Sequence, residues 1–290
     1  MRIFKTIPLF IIMAVLSGCG DTTTEVVPVK IPDSSATVIR VPRDASTIQA
    51  ALDIADNLDT VLVADGTYQG DGNRDIDFQS KSIILRSENG PAFTTIDCAG
   101  SANNQHCGLI ITGRANDAVV DGFTIKNGYI NSGGGLRIQS SSITVRNCVI
   151  AYNVATTSGG GVWCKGSDPA FINCTFVGNS SMAGGAIFVL GTSSPTLTNC
   201  IVAFSEEGGG IYSNESSSQP TAVCCNVFAN LDGNYAGSTA DQSGINGNID
   251  LDPQFCDQES GDFGLQASSP CLPANNGCGI LMGALQSGCR

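Results

Sequence analysis

The sequence contains few charged residues, few basic side chains and a single histidine. Charged residues make up 14% of the 290 residues, and 14 Lys and Arg stand against 26 Asp and Glu, which gives a net charge of −12. This deficit of basic residues argues against a nucleic-acid partner, because phosphate recognition needs clustered Lys and Arg. The low charge content also argues against a disordered chain. His106 has no neighbouring histidine and the sequence has no CxxC pair, which argues against a metal site built on these ligands.

Apolar runs long enough to span a membrane are also lacking. Residues 7–16 follow two basic residues and are too few for a bilayer core of about 30 Å, so they predict a signal peptide. The sequence LSGC at residues 16–19 resembles a bacterial lipobox, and the alternative is an ordinary secretory signal. The resemblance implies that residues 1–18 are removed and that Cys19 is lipidated. We therefore expect residues 19–37 to be a tether that anchors the chain to a membrane, in the outer membrane or at the cell surface.

Glycine and cysteine are abundant, with 35 and 13 residues, and both recur with one period. Asn-Cys pairs recur every 26 residues, and Cys225 follows the last pair after 25 residues; the pairs lie at 147–148, 173–174 and 199–200. Glycine clusters recur with nearly the same spacing, at residues 133–135, 159–161, 184–185 and 208–210. Between these markers apolar residues alternate in short runs, which indicates strands. Stacked units of this length predict an all-β solenoid.

Stacking the units places equivalent residues of successive coils in columns, with parallel strands about 4.8 Å apart. The sequence from residue 57 to residue 250 holds about eight coils of this length, and we assign the solenoid to residues 38–251. Four inward columns are predicted: Val145, Phe171, Leu197 and Ala222; Cys148, Cys174, Cys200 and Cys225; Ile150, Phe176, Val202 and Val227; Leu136, Val162, Ile187 and Ile211. One turn position is predicted to carry Asn153, Asn179, Ser205 and Asn230.

Both ends of a solenoid need a cover, because each exposes an apolar cross-section. Residues 46–55 have apolar side chains on one helical face and predict a short capping helix at the N-terminal end, with Ser46 as its N-cap. Residues 252–290 lose the period and contain four cysteines. We expect them to form a C-terminal cap, as an irregular wrap over the last coil.

Several motifs together resemble bacterial right-handed parallel β-helix repeat proteins, relatives of the pectate-lyase-like superfamily, over roughly residues 41–290. They are TIQAAL at 47–52, DTVLV at 59–63, GTY at 66–68, GNRDIDF at 72–78, DGFTI at 121–125, DPQF at 252–255 and SPC at 269–271. GGAI at 184–187 and FVGN at 176–179 are similar to repeats of chlamydial polymorphic outer-membrane proteins, which act as adhesins. The resemblance implies a single-stranded right-handed parallel β-helix. It leaves the function open, since these folds host lyases, hydrolases, epimerases and non-catalytic binders.

Twelve cysteines remain after Cys19, an even number in a chain that we expect to be exported. The column at 148, 174, 200 and 225 predicts buried thiols. Three disulfides are candidates, of which two would close local loops: Cys98–Cys107, Cys271–Cys278 and Cys256–Cys289.

The best candidate for a binding surface is an outward column of three aromatic residues and an arginine: Arg137, Trp163, Phe188 and Tyr212. Aromatic faces pack against sugar rings, and a guanidinium pairs with a carboxylate. The alternative is that these side chains pack on one another and shield the sheet.

A second candidate is a loop of alternating oxygen ligands, Asp71, Asn73, Asp75 and Asp77. The spacing begins like a calcium-binding EF-hand loop, but Ser82 replaces the final glutamate. Turn chemistry is the alternative, and we expect no other cofactor.

A catalytic site is not evident in the sequence. The pectate lyases that the chain resembles use a basic residue beside calcium-binding carboxylates, and related polygalacturonases use clustered aspartates. Lys126, Arg137 and Arg146 are candidate bases and Asp117 and Asp121 lie near in sequence, but no adjacent Asp-Asp pair occurs. We therefore expect a non-catalytic surface lipoprotein that binds glycan or another cell-surface partner. A polysaccharide lyase or hydrolase and a structural envelope protein are the alternatives.

Overall fold

The computed structural model describes residues 36–289, and each coil adds one strand to each of three parallel sheets. Sheet 1 contains eight strands, so the prediction of about eight coils is confirmed. Its strands are Val38–Val41, Thr60–Val63, Ile84–Ser87, Val119–Asp121, Thr144–Arg146, Ala170–Ile172, Thr196–Thr198 and Thr221–Val223.

Sheets 2 and 3 contain seven strands each, again one per coil. Sheet 2 consists of Gly66–Tyr68, Thr94–Asp97, Thr124–Lys126, Val149–Ala151, Thr175–Val177, Ile201–Ala203 and Asn226–Phe228. Sheet 3 consists of Ile76–Asp77, Leu109–Thr112, Leu136–Gln139, Val162–Lys165, Ile187–Leu190, Ile211–Ser213 and Tyr235–Gly237. In three of the middle coils, one additional short strand follows the strand of sheet 2 and precedes the strand of sheet 3. These strands form sheet 4 and are Tyr129–Ser132, Val154–Ser158 and Ser180–Ser181. All of these strands pair in parallel, as a stack of coils requires.

The predicted inward columns are confirmed by the strand register. In sheet 1, Val145 pairs with Phe171 and Phe171 pairs with Leu197, and all three side chains are fully buried. In sheet 2, Ile150 pairs with Phe176 in the same way. One continuous apolar core therefore runs along the axis. The core is stabilised because each coil buries its apolar side chains against the equivalent side chains of the neighbouring coils.

The repeated Asn-Cys pair forms the corner between sheets 1 and 2. Asn147, Asn173 and Asn199 all have a left-handed backbone, with φ between 50° and 57°. Asparagine tolerates this conformation better than most residues, which explains its recurrence at a tight corner. The following cysteine points into the core, and its thiol donates to a carbonyl; Cys174 Sγ, for example, lies 3.4 Å from Val145 O of the preceding coil.

The predicted turn after sheet 2 is a ladder of buried amides. Asn179 Oδ1 accepts from Asn153 N at 3.0 Å, and Asn179 Nδ2 donates to Ile150 O at 2.8 Å. Ser205 takes the same position one coil later, and its hydroxyl has no partner among the described residues. A second ladder, of serines, joins sheet 3 to sheet 1 and was not predicted. Each backbone N–H donates to the hydroxyl of the next coil, along Ser141, Ser167, Ser193 and Ser218.

The N-terminal end is closed by one short helix, Ile48–Ile54, as predicted. Ile48, Ala51 and Leu52 are buried on the first coils. The N-cap is Thr47 rather than the predicted Ser46, because the Thr47 hydroxyl accepts from Ala50 N at 3.2 Å. A hydroxyl at this position satisfies a helix N–H that lacks a partner within the helix.

The C-terminal residues, which we name the tail (252–289), lie along the outer face of sheet 2. We predicted that these residues wrap over the end of the last coil, and this position differs from that prediction. The tail contains an antiparallel hairpin, Phe255–Asp257 with Asp262–Leu265, and a short 3-10 helix, Pro273–Asn275. Its apolar residues pack on outward side chains of sheet 2, namely Val149, Ala151, Val177, Ile201 and Ala203. These outward apolar columns give the tail a surface to bury, which explains its position.

The C-terminal end of the core is covered by the segment that precedes the tail. Gln242 Oε1 accepts from Ala222 N at 2.9 Å, and Asn248 Oδ1 accepts from Cys225 N at 2.9 Å. Asn248 Nδ2 also donates to Ala222 O at 2.8 Å. These amides satisfy backbone groups of the last coil that have no further coil to pair with.

Two disulfides lie within residues 36–289, and both hold the tail. Cys256–Cys289 joins the hairpin to the chain end, and it was among the predicted pairs. Cys278 bonds to Cys224 and not to Cys271, so the predicted Cys271–Cys278 staple is wrong. Cys224 occupies the corner position that asparagine holds in earlier coils, which leaves its side chain free to meet the tail.

The predicted Cys98–Cys107 staple is also wrong. Both residues are buried free thiols, as is Cys271. Hydrogen bonds close the loop instead, through the paired backbone groups of Ser101 and Asn104 and of His106 and Tyr129.

Candidate functional site

The outward aromatic column lies on sheet 3, in the register that the sequence predicts. Arg137 pairs with Trp163, Trp163 with Phe188, and Phe188 with Tyr212. Inward neighbours alternate with these residues on each strand, which places the four side chains on one outer face. We call this column the aromatic strip (Arg137, Trp163, Phe188 and Tyr212).

The strip consists of two stacked pairs. The Arg137 guanidinium carbon lies 5.2 Å from the Trp163 ring centroid, within the range of a cation–π contact. Phe188 stacks on Tyr212 with centroids 5.5 Å apart and planes 19° apart. Phe188 is only 7% exposed, so it supports its neighbours and does not present an open ring. Trp163 and Tyr212 are partly exposed and are the rings that a ligand can reach.

A second outward column beside the strip was missed at the sequence level. Gln139 pairs with Lys165, and Lys165 pairs with Leu190. Lys165 is exposed, and the other two are partly exposed. The signal was present, because these residues recur with the repeat spacing two positions after the strip residues. They add one amide and one ammonium beside the rings, groups that hydrogen-bond to hydroxyls.

Sheet 4 provides a polar ledge on the other side of the strip, built from Asn131, Ser132 and Thr157. Thr157 Oγ1 donates to Asn131 O at 2.7 Å, and the Ser132 and Thr157 hydroxyls are 3.0 Å apart. The Gly133 turn joins this ledge to the strip, and a β-carbon on Gly133 would lie 3.1 Å from the Arg137 β-carbon. The exposed face therefore combines aromatic rings with hydroxyl and amide groups.

The four predicted calcium ligands have other partners. Asp71 pairs with Arg74 at 3.3 Å, Asn73 Oδ1 accepts from Ile48 N at 3.1 Å, and Asp77 Oδ1 accepts from Gln79 N at 2.8 Å. Across residues 36–289, no three His, Cys, Asp or Glu side chains converge as a metal-ligand set. These contacts agree with the alternative of turn and cap chemistry, and calcium binding stays a prediction.

Asp75, the third of these residues, is bound to His106 instead. His106 Nδ1 lies 2.5 Å from Asp75 Oδ2, and the second carboxylate oxygen accepts from Cys107 N at 2.7 Å. His106 Nε2 lies 3.1 Å from Asn104 Oδ1. Both ring nitrogens are thus engaged by side chains of the described residues, which gives this histidine a structural role in the loop.

The candidate bases lie on three different faces. Lys126 is on sheet 2, Arg137 is on sheet 3, and Arg146 is on sheet 1. They cannot act on one bond, because general acid–base chemistry needs groups within hydrogen-bond reach. Of the three, Arg146 has a carboxylate partner, Asp121, at 2.9 Å. The guanidinium of Arg146 is thus already engaged by a carboxylate.

The buried thiols are poor nucleophiles. Burial raises the pKa of the Cys98, Cys148 and Cys164 thiols to about 12. A thiol reacts as the thiolate, so these groups are inert at neutral pH. Their role is to fill the core.

The fold and these faces define the class to which the chain belongs. A family model described as right handed beta helix region matches residues 81–249, more than half of the chain. The chain therefore belongs to the right-handed β-helix family, which confirms the handedness that the sequence motifs implied. No curated protein matches the chain.

Several solved structures resemble the chain, among them a pectate lyase and a pectin methylesterase. The crystal structure of pectate lyase Pel9A has 13% identity and a TM-score of 0.44, over 88% of this chain and 97% of that one. The pectin methylesterase from Aspergillus niger in penultimately deglycosylated form has 12% identity and a TM-score of 0.26, over 76% and 91%. At these values the likeness bears on neither activity nor substrate.

Within the part of the chain that the structure describes, no helix has the length and apolar character needed to cross a membrane. The predicted lipidation site, Cys19, lies outside the described residues, as do the signal peptide and most of the tether.

Proposed function

We propose that the aromatic strip binds a glycan or another hydroxyl-rich cell-surface ligand, without catalysis. The observation that carries the proposal is the pair of partly exposed rings, Trp163 and Tyr212, each backed by a stacked neighbour on one rigid face. A ring held by its neighbour loses little rotamer freedom on binding, which favours affinity. Strip residues point away from the core, so the stacking of coils does not require them.

The ligand would lie along the helix axis. Trp163 and Tyr212 are two coils apart, which corresponds to about 10 Å at the usual strand spacing. Gln139 and Lys165 on one side and Asn131 and Thr157 on the other would hydrogen-bond to hydroxyl groups of a bound chain. The protein is strongly acidic, so a polyanionic glycan would be repelled over most of the surface.

Lipidation of Cys19 and residence in the outer membrane or at the cell surface complete the proposal. The lipobox resemblance supports them, and mass spectrometry of the membrane fraction tests them. A peptide that begins at Cys19 and carries acyl chains is the expected result. An unmodified secreted chain would leave the strip proposal intact and remove the anchor.

The experiment for the strip is a retention assay on neutral and uronic polysaccharides. Trp163→Ala and Tyr212→Ala are expected to weaken retention of a neutral glycan at least tenfold, since stacked aromatic contacts supply much of the affinity. Leu190→Ala, on the adjacent column, is the matched control for loss of apolar area. Unchanged retention by folded Trp163→Ala and Tyr212→Ala proteins would contradict the proposal.

The enzymatic alternative is supported by one feature of sheet 1. A cleft of about 360 Å³ is lined by Arg86, Glu88, Asp121 and Asn147, among others. A polysaccharide lyase would release unsaturated products that absorb in the ultraviolet, so the same polysaccharide panel tests this alternative directly. A structural envelope protein would show neither retention nor product.

A further inference from the structure

The outer face of sheet 2 changes character along the axis. In the early coils it carries Thr67, Thr95 and Thr124 in one column and Asp97 and Lys126 in the other. In later coils the same columns become mostly apolar, with Val149 following Thr124 and Ala151 following Lys126. Thr175 and Asn226 are the polar exceptions in the first column, and both are buried. The tail covers the apolar part and stops where the polar part begins. Burying the apolar columns explains the later coils but gives no reason for the polar residues at the boundary.

The end of the tail hairpin is fixed at this boundary. The Tyr152 hydroxyl donates to Gln258 O in the hairpin turn, and the Tyr152 and Phe263 ring centroids are 5.8 Å apart. The Cys256–Cys289 disulfide ties the hairpin to the chain end. The hairpin turn therefore forms a wall that is held by a hydrogen bond, an aromatic contact and a covalent bond.

Between this wall and the polar coils lies a cleft of about 500 Å³, a volume within the range of small-ligand sites. Thr95, Thr124 and Lys126 line it from the sheet, Pro91 lines it from the preceding turn, and residues 259–263 line it from the tail. We call it the boundary cleft. It lies on a different sheet from the aromatic strip and uses none of its residues.

Two polar groups on its sheet side have no partner within residues 36–289. The Thr95 hydroxyl makes no hydrogen bond, and the Lys126 ammonium makes neither a hydrogen bond nor an ion pair. Asp97, the strand partner of Lys126, accepts from Asn127 Nδ2 at 3.0 Å and from Gln69 Nε2 at 3.1 Å. The carboxylate next to Lys126 is thus already engaged, which leaves the ammonium available to a ligand.

The charges of the boundary cleft select the class of ligand. Lys126 contributes one ammonium to the lining, and Glu259 and Asp262 contribute two carboxylates from the tail. The surplus of negative charge disfavours an anionic ligand, and the ammonium disfavours a cation. Hydroxyl groups both donate and accept, so they match a lining that mixes threonine hydroxyls, an ammonium and carboxylates.

We propose that the boundary cleft binds a short neutral oligosaccharide. Thr95 and Lys126 hydrogen-bond to its hydroxyls from the sheet side, and Glu259 does so from the tail. The site is independent of the aromatic strip, so either proposal can fail alone. It is formed jointly by the solenoid and the tail, which gives the tail a function beyond covering apolar residues.

The test is a titration of the full-length protein with cellotriose, maltotriose, mannotriose, trigalacturonate and the dipeptide glycylglycine, followed by ¹H–¹⁵N NMR. At least one neutral trisaccharide should shift the amides of residues 95–97, 124–127 and 258–263 in a saturable way. Thr95→Val and Lys126→Met should each weaken that binding about tenfold, because hydrogen bonds to charged or otherwise unpaired groups are among the stronger ones. Arg43→Met, which removes an exposed basic side chain in the turn after Val38–Val41, is the matched control and should leave it unchanged.

Three results would overturn the proposal: no saturable shift with any neutral trisaccharide, tighter binding of trigalacturonate or glycylglycine, or shifts that disappear in Trp163→Ala. Thr95→Val and Lys126→Met proteins that retain the wild-type unfolding midpoint separate loss of binding from loss of fold. Persistent cleft shifts in a protein whose strip retains no polysaccharide would support the cleft and contradict the strip.

Discussion

The outer faces of sheets 2 and 3 come from the same coils but differ in their exposure to solvent. The outer columns of sheet 2 become mostly apolar after Thr124 and Lys126, and the tail covers their apolar residues. The outer column of sheet 3 carries Trp163 and Tyr212, and both remain partly exposed. The inward columns are alike in both sheets, because every coil must fill the same core. The comparison shows that coil stacking determines the inner face, whereas the outer face is free to differ from sheet to sheet.

The largest expected effect comes from placing a charge beneath the tail. Val177 is fully buried on the outer face of sheet 2, among apolar residues of the sheet and the tail. Val177→Asp should therefore lower the free energy of unfolding by about 3 kcal/mol or more, because a carboxylate buried there loses its hydration. Urea unfolding measures it. Lys165→Asp on sheet 3 is the control and should change stability by no more than about 0.5 kcal/mol. Equal losses for both would mean that the two faces do not differ.

The next effect concerns the disulfide that fixes the tail to the last coil. Replacing Cys224 and Cys278 by serine should cost about 2–4 kcal/mol, since the cross-link restricts the unfolded chain. Hydrogen exchange should rise at the tail and at residues 201–203 while sheet 3 keeps its protection. The Cys256→Ser, Cys289→Ser double variant is the matched comparison. Uniform loss of protection along the whole solenoid would contradict a separable tail.

A smaller effect separates support from binding within the aromatic strip. Phe188→Ala should lower stability by about 1.5–3 kcal/mol, because its ring is almost fully buried between neighbours. Trp163→Ala should weaken glycan retention at least tenfold and should lower the free energy of unfolding by less than Phe188→Ala does. Thermal unfolding and the retention assay on both variants provide the comparison. A Phe188→Ala protein with wild-type stability would show that the strip is not packed as described.

The smallest effect is a pH dependence near the N-terminal end of sheet 1. Burial opposes ionisation of Asp59, but hydrogen bonds from the backbone N–H groups of Thr37 and Asp56 outweigh it and hold the pKa of Asp59 below its ordinary value. The stabilisation is therefore complete above about pH 4 and is lost as the pH falls through the lowered pKa. Asp59→Asn should flatten the stability curve below pH 4. A parallel curve for wild type and variant would contradict this origin.

Residues that recur with the period could be predicted, and those without a period could not. The Cys148 and Asn179 ladders follow from the repeat, because stacked coils bring residues one period apart into contact. The tail has no such register. Tyr152 meets Gln258 at a sequence separation of 106 residues, and no periodic signal joins them.

The disulfides show the same division. Cys224 stands where earlier coils have Asn147, Asn173 and Asn199, so its corner position could have been read from the repeat. Its partner could not, because the choice between Cys271 and Cys278 depends on the path of the tail. Cys271, the cysteine nearest to Cys278 in sequence, is instead buried and accepts from Asn226 Nδ2 at 3.2 Å.

The amino-acid sequence alone determined the coil, its inward columns, the corner asparagines and the alignment of the aromatic strip, since each depends on spacing between like residues in neighbouring coils. The tertiary structure decided which outer face is covered, which thiols are joined and where a cleft opens. Those outcomes depend on how an irregular segment buries its apolar side chains against a surface that exists only after the coils have stacked.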